Sequence, residues 1–306
     1  MQELDLRSIL PLDFPLSLNI EVTNACNLRC IMCPREKSSK EVGYMDFELF
    51  KKIIDECKQR RVRKIFFHKD GESLLHPKLP EFIRYARNVN AAEMLSLTTN
   101  GTLLNQELAD KLIEAGLDEV CISIDAVNPD TYTKIKGRPM YEIVERNCTN
   151  LVRSNKRFPR FSVKFIRMRE NQNEEQEFYA KWAHIAQVIS THYWDWGGSV
   201  EDKSVNGLET SELPCESLWR TLTVNWDGRV SICCMDWDCK AIVGNAREKT
   251  LYEIWHGPEL RKIRRIHLDS KGHTLPVCAN CTYREVQSCI EVGLWLLKNK
   301  EGILNM

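Results

Sequence analysis

Residues 26–33 read CNLRCIMC, and this run carries most of what the sequence predicts about fold and function. Three residues separate Cys26 from Cys30, and two separate Cys30 from Cys33. A [4Fe–4S] cluster that is bound only by cysteine needs four thiolates, and no fourth cysteine follows nearby. The spacing therefore predicts a cluster with three protein-bound irons and a fourth iron that is open to a small molecule.

Two other uses of these three cysteines remain open at this point. They could bind zinc together with a remote fourth ligand, or they could be buried thiols of the hydrophobic core. Zinc sites usually contain paired Cys-x2-Cys knuckles, and the triplet is not such a pair. The open-cluster interpretation is therefore favoured.

Composition excludes several classes of protein. The chain has 306 residues, of which 43 are basic and 43 acidic, so no net field favours nucleic acid or an anionic membrane. No segment approaches the ~18 apolar residues of a membrane-spanning helix. The N-terminal run MQELDLRSIL contains Glu3 and Asp5 and lacks the basic start of a secretory signal. Thirteen cysteines in such a chain indicate metal or redox use, and we expect a cytoplasmic, oxygen-sensitive protein.

The first two thirds of the chain alternate between strand-like and helix-like patterns. About six β-α units predict an α/β fold with a parallel sheet, although composition alone does not separate a barrel from a doubly wound sheet. Each chemical motif follows a strand, at the carboxyl end where α/β barrels assemble their sites. The predicted strands are Ser17–Val22, Arg63–Phe67, Met94–Thr98, Leu117–Ile124 and Phe161–Met168, and the helices include Asp46–Gln59, Asn105–Ala115, Tyr141–Ser154 and Asn173–Val188, before an apolar stretch at residues 189–194.

A polar, glycine-containing segment at residues 197–211 predicts a domain boundary. We expect one domain over residues 1–200 and a smaller one over residues 201–306. The second domain is rich in cysteine: Cys215, Cys233, Cys234, Cys239, Cys278, Cys281 and Cys289.

Four of these later cysteines form a second candidate metal site. Cys278 and Cys281 make a Cys-x2-Cys knuckle, which is a specific metal-binding geometry. Asp227-Gly228 predicts a hairpin that would bring Cys215 and Cys233 to one end. The strands of this hairpin are predicted at Thr221–Trp226 and Arg229–Cys233. The residues alone allow zinc or an iron–sulfur cluster at these four thiolates.

CNLRCIMC resembles the signature loop of the radical S-adenosylmethionine (radical SAM) superfamily. Three further segments resemble motifs of that family, in the family's order: Asp70-Gly71-Glu72, Thr98-Thr99-Asn100-Gly101 and Ser123-Ile124-Asp125. One departure is Asp70, where the family usually has glycine. The resemblance implies a partial (β/α)6 barrel whose open iron binds the amino and carboxylate groups of SAM. It also implies that Glu72 meets the SAM amino group, that Asn100 lies beneath the nucleoside, and that Ser123 and Asp125 lie near the ribose and carboxylate.

In that family an electron splits SAM into methionine and a 5′-deoxyadenosyl radical, which takes a hydrogen atom from the substrate. The resemblance therefore implies an electron donor such as flavodoxin or ferredoxin.

The second cysteine set resembles the auxiliary-cluster module called SPASM, and more closely its shorter form, Twitch. This resemblance implies one auxiliary [4Fe–4S] cluster, because the further cysteines of full SPASM are missing. The implied ligands are Cys215, Cys233, Cys278 and Cys281, with Cys234 as an alternative to Cys233.

Several reactions fit this layout. The favoured one is two-electron oxidation of a small sugar- or cyclitol-like alcohol, with the auxiliary cluster as electron acceptor. An epimerase would instead return hydrogen from a cysteine, for which Cys239 is the candidate. Peptide modification is a third reading, and a non-enzymatic iron–sulfur or zinc-binding interaction protein is a fourth. The last would leave Glu72, Asn100 and Asp125 unexplained.

Overall fold

One mixed sheet organises the chain. The computed structural model describes residues 5–60, 62–154, 157–207, 210–285 and 287–304. Its strands are β1 (Ser17–Ile20), β2 (Val62–Phe66), β3 (Ala92–Thr99), β4 (Glu119–Ser123), β5 (Arg160–Arg167), β6 (Gln187–His192), β7 (Thr221–Val224), β8 (Arg229–Ser231) and β9 (Ile242–Asn245). They are ordered β6-β5-β4-β3-β2-β1-β7-β8-β9, parallel from β6 to β7 and antiparallel from β7 to β9. The predicted partial (β/α)6 barrel is confirmed in strands β1 to β6, and β7 adds one more parallel strand beside β1.

Helices follow each of strands β1 to β5, and the remaining described helices follow β9. They are α1 (Phe47–Arg60), α2 (Leu79–Asn88), α3 (Gln106–Glu114), α4 (Pro129–Lys136), α5 (Tyr141–Arg153), α6 (Glu175–Trp182), α7 (Leu251–Trp255), α8 (Pro258–Leu268), α9 (Gln287–Lys298) and α10 (Lys300–Leu304). On β4, Val120 and Ile122 are fully buried in the apolar core, Cys121 between them is also buried, and Ser123 is half-buried. Among the described residues no helix combines the length and apolarity that crossing a membrane requires.

Strand β1 is hydrogen-bonded on both sides and joins the two halves of the chain. Ser17 lies opposite Lys64 of β2 and also opposite Thr221 of β7. Leu18 is fully buried and belongs to one apolar cluster that also contains Leu222. The strand that leads into the cysteine run therefore shares a sheet with the β7–β8 hairpin, which precedes Cys233, and a core with β7.

Two local predictions differ from the structure. The helix predicted over Asn173–Val188 ends at Trp182, because Gln187 and Val188 already pair with β5 as the start of β6. Helix α4 was not predicted, although its signals are present. Asn128 caps its first N–H groups, a proline occupies the first turn, and Gly137 ends it in the left-handed region.

The cysteine loop is fastened to the carboxyl end of α4 by its main chain. The Arg29 N–H donates to the Lys136 carbonyl at 3.1 Å, and the Ile31 N–H donates to the Ile135 carbonyl at 2.9 Å. Gly137 has a φ of +72°, and a Cβ built there would lie 2.5 Å from the Arg29 carbonyl oxygen. Only glycine therefore allows this close approach.

We expect Gly137→Ala to cost more stability than Gly207→Ala. Gly137 has a φ of +72° and Gly207 a φ of +80°, so both are in the left-handed region. Placing alanine in that region lowers the free energy of unfolding by about 1 kcal/mol in either variant. Gly207 has no heavy atom within 4 Å of a built Cβ, so only Gly137→Ala adds steric overlap, about 1–3 kcal/mol more. Urea unfolding of both variants measures the difference. Equal losses would show that the contact with Arg29 does not matter.

Candidate functional site

The first three predicted ligands lie on the loop that follows β1. Cys26, Cys30 and Cys33 are each half-buried and close enough to influence one another's ionisation. Burial raises the pKa of Cys30 to about 11 and that of Cys33 to about 12. Metal binding would displace these protons, since thiolates are the ligands. The Trp196 indole N–H, donating to the Met32 carbonyl at 2.8 Å, holds the loop from its other side.

Among the described residues, no three His, Cys, Asp or Glu side chains converge on a point that could hold a single metal ion. A [4Fe–4S] cluster takes one cysteine per iron, so its thiolates need not converge on one point.

Glu72 is buried beside this loop and its carboxylate is oriented by three hydrogen bonds. Oε1 accepts from the Thr99 hydroxyl at 2.7 Å and the Leu74 N–H at 3.1 Å, while Oε2 accepts from the Asn100 N–H at 2.7 Å. Burial raises the pKa of the Glu72 carboxyl, although these three hydrogen bonds act to lower it. A carboxylate has about four acceptor positions, so one on Oε2 remains for a ligand's ammonium group.

Gly71 allows the Glu72 segment to reach the cysteine loop. The Glu72 N–H donates to the Ala25 carbonyl at 2.8 Å. A Cβ on Gly71 would overlap the Thr23 carbonyl, so this backbone approach requires glycine. Asp70, the departure from the family motif, does not disturb the turn, because its side chain is directed elsewhere.

Asp70 belongs to a buried network of four charges that the sequence analysis missed. Lys40 and Lys69 each donate to Asp70 Oδ2 at 2.8 Å, and Lys40 also lies 3.3 Å from Glu21. All four side chains are at most 4% exposed. The sequence does not indicate this network, because Glu21 and Lys40 come from segments separate from Lys69-Asp70.

Asn100 ties the end of β3 to the cysteine loop through its side chain. Its Nδ2 donates to Asn27 Oδ1 at 2.9 Å, and its Oδ1 accepts from the Thr102 hydroxyl at 2.7 Å. Asn27 in turn donates to Thr102 at 2.8 Å. The structure therefore brings Glu72 and Asn100 to the cysteine loop, and their roles toward SAM stay predictions.

Asp125 is fully buried, and a lysine occupies its carboxylate. Oδ2 accepts from Lys136 Nζ at 2.5 Å and from the Ser123 hydroxyl at 2.9 Å, while Oδ1 accepts from the Ile166 N–H at 2.7 Å. The roles of Ser123 and Asp125 toward SAM stay predictions. Lys136, which sequence reasoning missed, opposes the burial-driven rise in the pKa of Cys30, so its ammonium lies within electrostatic reach of the cluster loop.

A second site surrounds the later cysteines. A cavity of about 910 Å³ is lined by Cys215, Cys233, Cys234, Cys278 and Cys281. The same cavity extends to the barrel strands, where Asn19, Phe66 and His68 line it. The structure therefore places the four predicted auxiliary ligands around one space, and that space continues into the barrel.

Cys233 and Cys234 both line the cavity, so the choice of Cys233 as the ligand stays a prediction. Burial, together with Cys234, Cys278, Cys281 and Cys215, raises the pKa of Cys233 well above the ordinary value. The thiol of Cys289 contacts Cys215, and this hydrogen bond lowers the pKa of Cys215 to about 7.

The cavity around these later cysteines, called the auxiliary cavity below, suits an anionic group. Its described lining contains no Asp or Glu. Buried nitrogens of His267, Arg220 and Arg284 around it have no hydrogen-bond partner among the described residues. Buried polar groups are normally satisfied, so these atoms indicate a missing acceptor. Four cysteine thiolates and unpartnered donors together fit a [4Fe–4S] cluster.

Cys239 lies on the segment between β8 and β9. It is half-buried, and its sulfur accepts at 3.9 Å from the Ser231 hydroxyl. Lys69 and Lys40 lie near enough to oppose the rise that burial causes in its pKa. Cys239 is absent from the described lining of the cavity.

Comparison with known proteins places this site in a family. The model of the radical SAM superfamily matches residues 20–182, and that of the iron–sulfur cluster-binding domain SPASM matches residues 215–282. The chain therefore belongs to the radical SAM superfamily and carries a SPASM-type auxiliary domain. It is an enzyme of that class, which binds SAM through a [4Fe–4S] cluster and has auxiliary iron–sulfur ligation.

Individual relatives are more varied. A GTP 3′,8-cyclase of Chlorobaculum tepidum is 36% identical over 206 residues, covering 67% of this chain and 56% of the cyclase, so the chain spans little more than half of that relative. The tungsten-containing aldehyde ferredoxin oxidoreductase cofactor-modifying protein of Pyrococcus furiosus is 26% identical, covering 88% and 87%. The solved structure of BtrN with AdoMet and 2-DOIA matches with a TM-score of 0.63 at 20% identity, covering 90% and 96%.

We expect removal of Lys136 to be far more destabilising than removal of an exposed lysine. Lys136→Met leaves the Asp125 carboxylate buried without its cation, which typically costs about 3–5 kcal/mol. Adding Asp125→Asn should recover part of that loss, whereas Lys111→Met, at an exposed pair, should change little.

A double-mutant cycle measured by urea unfolding tests this coupling. Strictly additive losses at Lys136 and Asp125 would contradict it.

Proposed function

We propose that this enzyme oxidises an alcohol of a small sugar- or cyclitol-like substrate by two electrons, with an auxiliary cluster as electron acceptor. The observation that carries the proposal is the single cavity of about 910 Å³, which joins barrel residues to four candidate cluster ligands. A substrate in the barrel would then share one space with its electron acceptor.

The residues divide into two sets under this proposal. Cys26, Cys30 and Cys33 hold the SAM-binding cluster within residues 1–200, while residues 201–306 hold one auxiliary cluster through Cys215, Cys233, Cys278 and Cys281. When bound, these groups supply a 5′-deoxyadenosyl radical from SAM and an acceptor for one electron. Glu72 receives the SAM amino group on its free Oε2 position, and Asn100, Ser123 and Asp125 line the remainder of the SAM site.

In the proposed reaction the substrate carbon would lose a hydrogen atom to the 5′-deoxyadenosyl radical, which would become 5′-deoxyadenosine. The hydroxyl would lose its proton to solvent and one electron would pass to the auxiliary cluster, so that the C–H and O–H bonds break and the C–O bond becomes C=O. The initial electron comes from a donor such as flavodoxin or ferredoxin.

The four-cysteine ligand set favours oxidation over epimerisation, because a fully ligated cluster suits an electron acceptor. An epimerase would instead need a cysteine such as Cys239 as hydrogen donor. A small molecule is proposed as substrate, and modification of a peptide remains an outcome that product analysis would detect.

We expect anaerobic reconstitution to give roughly eight irons per chain, because two [4Fe–4S] clusters contain four each. A Cys278→Ser/Cys281→Ser variant should keep about four irons and still cleave SAM to 5′-deoxyadenosine. Iron analysis and chromatography of the nucleoside measure both. About four irons with one zinc in the unaltered chain would refute the auxiliary cluster, and absence of 5′-deoxyadenosine with a strong reductant would refute the radical chemistry.

We expect Cys239→Ala to retain substrate turnover with net two-electron oxidation. Mass spectrometry of the product formed in D2O provides the measurement. Deuterium fixed at one carbon without net oxidation, together with loss of turnover in Cys239→Ala, would instead establish the epimerase.

A further inference from the structure

The auxiliary cavity contains a buried arginine that lacks a counter-ion among the described residues. Arg284 is 2% exposed, and its Nη2 donates to the Cys278 carbonyl at 2.8 Å. Among the described residues its Nε and Nη1 have no hydrogen-bond partner, and none of the described carboxylates lies within salt-bridge distance. The guanidinium lies close enough to Cys278 and Cys281 to oppose the burial-driven rise in the pKa of both thiols.

The backbone makes room for this cation. A Cβ built on Gly272 would lie 2.9 Å from Arg284 Nη1 and 3.1 Å from His267 Cε1. His267 also lines the cavity, and its Nε2 has no described partner. Gly272 therefore leaves space in which the guanidinium can keep its place beside the cysteines.

A second arginine on the same cavity is arranged differently. Arg220 has a carboxylate partner, since its Nη2 lies 3.2 Å from Glu216 and 3.3 Å from the Tyr283 hydroxyl. Asp236, which contributes to the raised pKa of Cys278, already accepts hydrogen bonds from the N–H groups of Lys240 and Ala241. Arg284 therefore has no protein anion assigned to it in the described chain.

A buried, unpaired guanidinium is costly, because charge is poorly solvated in a protein interior and arginine stays protonated. The cost falls if an anion occupies the cavity, and a cluster with four thiolates is an anion. Each electron added to such a cluster increases its negative charge. A fixed cation therefore stabilises the reduced form more than the oxidised form, and net charge and hydrogen bonds to sulfur set cluster potentials.

We propose that Arg284 is a positioning residue for the auxiliary cluster, donating hydrogen bonds through Nε and Nη1 and raising its reduction potential. This inference rests on the proposed function, since it concerns the same electron acceptor. A higher potential makes the cluster a better acceptor for the electron that leaves the substrate.

The test is a redox titration of the full reconstituted chain, followed by electron paramagnetic resonance. Added SAM perturbs only the signal of the first cluster, which separates the two signals. For Arg284→Met we expect the reduced-to-oxidised ratio of the auxiliary cluster, at a fixed potential, to fall about tenfold, which is about 59 mV for one electron. Arg284→Lys should keep most of the potential, because it keeps the charge.

Two further variants complete the test, one as a control and one as a second way to displace the guanidinium. Arg247→Met removes an exposed cation of the same domain, which pairs with Asp46, and should leave both potentials unchanged. Gly272→Ala keeps the charge but displaces the guanidinium, so it should shift the auxiliary potential in the same direction as Arg284→Met.

The outcomes separate this inference from the function it rests on. Roughly eight irons with an unchanged auxiliary potential in Arg284→Met would overturn the inference and leave the proposed function standing. Equal shifts in Arg284→Met and Arg284→Lys would also overturn it, because they would indicate a packing role. If the unaltered chain held zinc in place of the second cluster, both would fall.

Discussion

The pairing of β1 with strands on both of its sides is the constraint on which this structure depends. Ser17 is in register with Lys64 of β2 and with Thr221 of β7, the first strand of the β7–β8 hairpin. The strand is only four residues long, yet it ends at the cysteine loop and is fully buried at Leu18 and Ile20. Because parallel strands align their carboxyl ends, this register sets the cysteine loop beside the Glu72 segment.

Buried charge recurs throughout the molecule, and each instance has a distinct arrangement. Asp125 is paired with Lys136, and Asp70 is paired with two lysines. Paired charges of this kind satisfy one another in a low-dielectric interior. Arg284 differs, since no described residue supplies its anion, and the same physical argument then points to a bound group. The contrast between satisfied and unsatisfied charge is therefore more informative than burial alone.

Much of the fold followed from local patterns. Helix α1 and strand β3 lie within two residues of their predicted bounds, because apolar spacing reports directly on which face is buried. The end of α6 was misplaced because residues 187 and 188 are held by pairing with β5, which a local pattern cannot report. The network of Glu21, Lys40, Lys69 and Asp70 was missed for the same reason, since its members come together only in three dimensions.

The sequence by itself determined the two sets of cysteines and the family to which they belong, because ligand spacing on short loops is a local property. Tertiary structure alone decided that Asp125 meets Lys136 and that the later cysteines share a cavity with the barrel. It also placed Arg284 where none of the described residues supplies a counter-ion. These facts depend on distances between separate segments of the chain, which arise only when the sheet and its core assemble.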